Sequence, residues 1–238
     1  NSTLQKQIEE LLKDKAKNLS AELKSQLQVL KGVNFAVEKP QIISIVGQSG
    51  SGKSTFLHLL GTLDTPDGGS LNILGEDVLS FNENQLADVR NRKIGFIFQD
   101  PMTSLNPLFT VEQQLKETIH ANMKVSDEEA YQRALDLMNQ VGIPQPENRL
   151  KQYPHQFSGG MRQRVVIALA LAGEPELIIA DEPTSSLDVT LQARILELFG
   201  ALRDQMDLSF LLITRSLRLR IQRVLVVFAA LTVGAAII

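Results

Sequence analysis

The 238-residue chain has no cysteine, which excludes disulfide scaffolds and thiolate metal sites. It has no surplus of positive charge. Lys and Arg number 24 against 27 Asp and Glu, a formal charge of −3, so a general affinity for nucleic acid is not expected. It has no internal repeat and no low-complexity tract, and 43% hydrophobic with 21% charged residues excludes a disordered or collagen-like chain. No aromatic residue precedes Phe35, and no acidic residue follows position 214. No signal peptide opens the chain, and a start at Asn1 in place of Met is what a fragment shows. What remains is the length and composition of one large globular domain or two small ones.

Three stretches differ in pattern. In residues 1–31, Leu4, Ile8, Leu11, Leu12, Leu19, Leu23, Leu27 and Leu30 recur at roughly helical spacing between Lys and Glu, which predicts an amphipathic helix. Ser2 and Gln5 have capping-box spacing at its start, and Lys31-Gly32 supplies a stop. Residues 32–214 alternate short branched apolar runs (42–46, 94–98, 177–180, 210–213) with helical patterns (53–63, 84–90, 111–123, 127–141, 161–172, 190–204). Strands that read as buried on both faces and alternate with helices predict an α/β fold with a mostly parallel sheet. Ser80 with Glu83, and Ser126 with Glu129, have capping-box spacing. The segment of about residues 100–172 is nearly all helical and too long for one crossover, so it reads as an inserted helical subdomain. Residues 215–238 form an apolar tail flanked by Arg215, Arg218, Arg220 and Arg223.

The first apolar run leads into Gly47, Gln48, Ser49, Gly50, Ser51, Gly52, Lys53 and Ser54, with Thr55 already in a helix. This is the P-loop pattern in its strand–loop–helix setting. The glycines let backbone N–H groups wrap phosphate oxygens, and the helix N-terminus adds its partial positive charge. Lys53 is spaced to reach the β- and γ-phosphates, and the Ser54 hydroxyl to ligate Mg²⁺. A second apolar run ends in Asp181 and Glu182. In a parallel sheet, strand carboxyl ends face the ligand crevice, which brings Asp181 to the Mg²⁺ and sets Glu182 to orient and deprotonate a water. Before Pro183 the same pair also reads as ordinary helix capping. Ser158, Gly159 and Gly160 open the next helix, either as an N-cap or as a second anion-binding device. His155, alone beside this loop, reads as a hydrogen-bonding residue.

In order, the P-loop, Gln99, Phe157-Ser158-Gly159-Gly160-Met161-Arg162-Gln163-Arg164, the strand ending Asp181-Glu182, and Ser185-Ser186-Leu187-Asp188 resemble the nucleotide-binding domain of ABC transporters. The likeness covers about residues 29–214. It implies a P-loop NTPase that binds ATP with Mg²⁺ and hydrolyses it as a head-to-tail dimer with a second ATP-binding subunit. Each bound ATP is completed by the partner's Ser158, Gly159 and Gly160. It further implies that Gln99 contacts Mg²⁺ and the attacking water, that Asp188 lies at the dimer seam, and that the helical subdomain docks on transmembrane permease subunits. The chain is then a peripheral component at the cytoplasmic face of the inner membrane.

Residues 29–75 look like the lipoprotein-releasing and macrolide-exporting branch, whereas residues 99–188 are similar to dipeptide, oligopeptide and nickel importers. The docking role of the helical subdomain gives the second half more weight, so peptide import is the first reading and a lipoprotein-release ATPase the second. Coupling of the ATPase to DNA repair or translation, as in some relatives, is a third. Two features depart from the family. No aromatic residue stands upstream to stack on adenine, a loss of about 0.5–1.5 kcal/mol. The histidine expected after the last apolar run is Arg215, which offers charge and donors but cannot share a proton near neutral pH. A nucleotide-binding module with little turnover is therefore also open. The tail has two readings, a late strand near residues 223–228 or the first part of a transmembrane helix, since 15 residues are short of the ~30 Å hydrocarbon core.

Overall fold

A computed structural model describes residues 30, 32–37, 40–48 and 50–214, and the backbone of a further strand at Val224–Phe228. Residues 36–229 group as one compact unit; the rest form a second one, almost wholly outside the described residues. The helix expected over residues 1–31 and the residue at position 215 therefore lie outside the described part.

A five-stranded sheet of order β4-β5-β6-β1-β7 forms the centre, from β1 (Ile42–Val46), β4 (Ile94–Ile97), β5 (Leu177–Asp181), β6 (Ser209–Thr214) and β7 (Val224–Phe228). Every neighbouring pair is parallel. All five residues of β1 are buried, because helices cover both faces of such a sheet and alternation has no place in it. Parallel pairing has one consequence for function. The segments that leave β1, β4, β5 and β6 all emerge at the same carboxyl edge.

For Val224–Phe228 the structure takes the strand reading of the tail and not the membrane one. Its apolar run is paired residue by residue with Ile42–Val46 of β1, which satisfies backbone groups that would otherwise face an open edge. Among the described residues, no helix is long and apolar enough to cross a membrane.

Helix α1 (Lys53–Leu60) follows β1, and α2 (Glu83–Arg92) precedes β4. Between β4 and β5 run α3 (Pro101–Ser104), α4 (Val111–Asn122), α5 (Asp127–Gln140), α6 (Pro146–Leu150) and α7 (Gly159–Leu171). Helix α8 (Val189–Met206) connects β5 to β6. The apolar faces of α4, α5 and α7, with Leu115, Ile119, Ala134, Met138 and Ile167, share one continuous core with Ile178 and Phe210 of the sheet and Phe199 of α8. At Gly95 on β4, a Cβ would lie 2.7 Å from the carbonyl oxygen of Ala170. Only glycine lets α7 approach the strand that closely, and this fixes α7 against the strand that leads to Gln99.

Ser126 and Glu129 do form the capping box of α5. Ser80 and Glu83 do not. Ser80 ends a 3-10 turn at Val78–Ser80 and donates its hydroxyl to Asp77 O, while Asn82 and Gln85 form the box at the start of α2. Asn82 wins because it stands directly before the first helical residue, where its side chain reaches the N–H of Gln85. A small antiparallel ribbon, β2 (Asn72–Ile73) with β3 (Glu76–Asp77), is turned by Leu74 and Gly75, both at positive φ (53° and 84°) as a type I′ turn requires.

Candidate functional site at the carboxyl edge of the sheet

The loop after β1 bends through Gly50 (φ 77°) and Gly52 (φ 82°), conformations that side chains rarely take, and then enters α1. Gly52 is the N-cap of α1 and has no side chain to accept from the first N–H groups of this helix. By contrast, α7 is capped by Ser158, whose Oγ accepts from Met161 N at 3.4 Å, and α8 by Asp188, whose Oδ1 accepts from Thr190 N and Leu191 N at 3.0 Å each. An open helix N-terminus at the end of a glycine loop is an anion-binding device.

Lys53 is 6% exposed, and its ammonium sits inside that loop. It donates to Gly47 O at 2.7 Å, Gln48 O at 2.6 Å and Ser51 Oγ at 3.2 Å. Its charge is thus held at the mouth of α1 by backbone carbonyls and not by a carboxylate. Ser54, one residue on and exposed, donates from Oγ to Asp181 Oδ2 at 3.4 Å. Thr55 is half-buried in the same turn.

Asp181 ends β5. Burial, then the charge of Glu182, pushes its carboxyl above the ordinary carboxylate value, against the opposing pull of Ser54, His58 and Lys53. An anion made costly in this way is a site that a cation would relieve. Glu182 has φ 46°, a left-handed conformation that is strained for a residue with a side chain, and its N–H donates to Ile213 O on β6 at 3.1 Å. Gln99, two residues beyond β4, donates from Nε2 to Glu182 Oε2 at 3.3 Å and to Ser185 Oγ at 3.2 Å. Lys53, Ser54, Asp181, Glu182 and Gln99, from the ends of three strands, therefore form one continuous polar group.

Ser158, Gly159, Gly160 and Asp188 lie elsewhere. A Cβ on Gly160 would stand 3.2 Å from the Leu191 methyls and one on Gly159 3.8 Å from Leu187, so the start of α7 packs on the start of α8. None of the hydrogen bonds of Ser158 or Asp188 given above reaches the glycine loop. His155 stacks on Tyr153 with ring centroids 5.8 Å apart.

The sequence reading gave no role to Ser185 or Gln192. Ser185 binds both Gln99 and Glu182, and Gln192 Nε2 donates to Thr184 O at 2.9 Å and Leu187 O at 3.0 Å, which staples the turn after Glu182. A signal for Ser185 was present. A hydroxyl three residues after the first residue beyond a strand is the spacing of a side-chain-closed turn.

A glycine loop feeding an uncapped helix, with two carboxylates at the end of another parallel strand, defines a P-loop protein. The family model described as "ABC transporter" matches residues 30–185, and the chain belongs to that family. It is 49% identical over 197 residues to the oligopeptide transport ATP-binding protein OppD of Bacillus subtilis (strain 168), covering 81% of this chain and 55% of that one. It is 45% identical over 191 residues to the dipeptide transport ATP-binding protein DppD of Escherichia coli (strain K12), covering 79% and 58%. Among solved structures it is similar to a dimeric ATP-binding cassette in a post-hydrolysis state bound to ADP and Pi, with TM-score 0.70, 34% identity, and coverage of 79% of this chain and 80% of that one. The fold is thus the P-loop ATP-binding cassette, α/β with a parallel sheet. The chain spans little more than half the length of these two curated relatives.

Proposed function

We propose that the chain is the ATP-binding and ATP-hydrolysing subunit of a membrane transporter, and that its cargo is a peptide taken into the cell. The observation that carries this is the polar group of Lys53, Ser54, Asp181, Glu182 and Gln99 at the carboxyl edge of the sheet. Its donors suit ATP with Mg²⁺. The uncapped N–H groups of α1 and the Lys53 ammonium offer positive charge to phosphate. The Ser54 hydroxyl and the Asp181 carboxylate are hard oxygen ligands, and Mg²⁺ is commonly held by one or two such groups together with substrate phosphates. Bound there, Mg²⁺ supplies charge neutralisation for phosphoryl transfer.

The remaining work falls to the protein. Lys53 exchanges its carbonyl partners for phosphate oxygens. Glu182 accepts a proton from the attacking water, and Gln99, already bonded to the Glu182 carboxylate, keeps that carboxylate aimed. Ser158, Gly159, Gly160 and Asp188, away from this group, are free to serve the nucleotide of a second ATP-binding subunit across a dimer seam. The cassette of similar fold is itself described as dimeric.

The permease docks, in this reading, beside the helices that follow β4. Leu108 is 79% exposed there, with Phe98, Met102 and Phe109 also exposed. Phe98 lines one hollow of about 370 Å³ and Phe109 a second, smaller one, and the two share Ser104, Thr118 and Leu169. Docking at that surface would make the chain a peripheral component at the cytoplasmic face of the membrane. Peptide import is supported by the likeness to the oligopeptide and dipeptide transport proteins OppD and DppD. A second reading, a nucleotide-binding module with slow turnover, rests on Arg215 in the place where the family resemblance calls for histidine.

Phosphate release from Mg·ATP by the purified chain tests the proposal. Release that Glu182→Gln abolishes, with ATP still bound, is the expected result. Binding without release in the parent would favour the second reading, and absence of both would refute the first and the second alike.

A further inference from the structure

Glu182 stands in a left-handed conformation at φ 46° that a side-chain-bearing residue adopts only when its surroundings impose it. Backbone and side-chain hydrogen bonds hold it there. Its N–H is tied to Ile213 O of β6, and its carbonyl oxygen accepts twice from a single residue, from Ser185 N at 3.1 Å and from Ser185 Oγ at 3.1 Å. The first closes a four-residue turn, and the second reinforces it from the side chain.

The hydroxyl of Ser185 has one proton and two lone pairs. Its proton goes to Glu182 O, so it meets Gln99 as an acceptor, and Gln99 Nε2 donates to it at 3.2 Å. The ionised Glu182 carboxylate is an acceptor only, so Gln99 must present it with the same amide nitrogen, which stands 3.3 Å from Oε2. Both amide protons of Gln99 are thereby assigned, one to Glu182 and one to Ser185. The amide cannot rotate by half a turn without setting its carbonyl oxygen against the carboxylate. The triangle has one self-consistent assignment of donors and acceptors: the carboxylate sets which way the Gln99 amide faces, and the Ser185 hydroxyl, as a second acceptor, holds it there.

We propose that Ser185 is a positioning residue of the hydrolytic site. Its hydroxyl locks the amide orientation of Gln99 and the backbone of Glu182, and so holds the Glu182 carboxylate where it accepts the proton of water. The inference rests on the reading of Glu182 as the proton acceptor, and it deepens that reading by naming what aims the carboxylate. A purely structural serine would affect folding and nucleotide affinity together. A positioning serine affects the chemical step alone.

The test compares Ser185→Ala and Ser185→Thr with the parent in three measurements: single-turnover phosphate release, affinity for a fluorescent ATP analogue, and the Gln99 side-chain amide resonances by NMR. Loss of one well-placed hydroxyl should slow release about tenfold, equivalent to about 1.4 kcal/mol. Affinity should stay within about twofold, and Ser185→Thr, which keeps the hydroxyl, should recover most of the rate. The Gln99 amide signals should shift in Ser185→Ala and stay near the parent in Ser185→Thr. Unchanged release with unmoved Gln99 signals in Ser185→Ala overturns the proposal. So does a fall in rate, affinity and Tm together that threonine does not rescue. A parent that neither binds nor hydrolyses ATP refutes the proposed function instead, and the Gln99 signals alone then decide whether Ser185 sets the amide.

Discussion

Replacing Lys53 by alanine should weaken the chain even before nucleotide is added. The ammonium bonds Gly47 O at 2.7 Å and Gln48 O at 2.6 Å, and it is 6% exposed. The third bond, to Ser51 Oγ at 3.2 Å, goes to a hydroxyl that can turn to water, so its loss costs little. A hydrogen bond to a charged group contributes about 1.5–3 kcal/mol net. Gln48 is exposed and its freed carbonyl is rehydrated, whereas Gly47 is half-buried, so one such bond and not two is lost in effect. A loss of about 1.5–3 kcal/mol lowers Tm by roughly 3–12 °C in a domain of this size. Calorimetry without nucleotide measures it.

The same substitution removes the cation at the mouth of α1. ATP at a hundredfold excess over its dissociation constant stabilises a binding protein by about 2.7 kcal/mol, which raises the Tm of the parent, whereas Lys53→Ala should show almost no such rise. An alanine variant with the Tm of the parent, and an equal rise on adding ATP, would refute the assignment of both roles.

Two further outcomes are expected. Asp127, at the start of α5, is held below the ordinary carboxylate value by its hydrogen bond to Lys116 and then by that to His120, both on α4. A lowered folded value means stability that is present above pH 3.8 and lost as pH falls through the folded value, so the Tm of Asp127→Asn should lie below that of the parent at pH 7 and the gap should close in acid and in high salt. Arg215→His should raise ATP turnover by at least about tenfold, since one well-placed transition-state contact is worth about 10²–10³ in rate; equal turnover in the two chains would mean that position 215 does not limit the rate.

The elements that could be read from sequence are those whose cause is local. The apolar run of β1 is buried at every residue and those of β4, β5 and β6 at most of theirs, and the Ser126–Glu129 box of α5 needs only three residues of spacing. The P-loop is legible because its glycines and its lysine are adjacent in the chain. Elements that depend on partners far along the chain were not legible. The ribbon of β2 and β3 has strands of two residues, too short for a period to appear, and it turns on Leu74, a residue that composition does not associate with φ 53°. Helix α7 begins at Gly159 and not at Met161, and Gly160 in its first turn packs closely on Leu191 of α8, a contact with a residue 31 positions on. The tie between Gln99 and Ser185 joins residues 86 positions apart, which no spacing rule reaches.

The proposed function requires this cassette to close around ATP with a second copy or a close relative. Sedimentation of the Glu182→Gln chain with saturating ATP and Mg²⁺ measures it most directly, because that variant keeps the binding groups and leaves ATP uncleaved. The expected result is a dimer that forms with ATP, is absent with ADP or without nucleotide, and is lost when Ser158 is replaced by a bulky residue. A chain that remains monomeric with ATP demonstrably bound would contradict it.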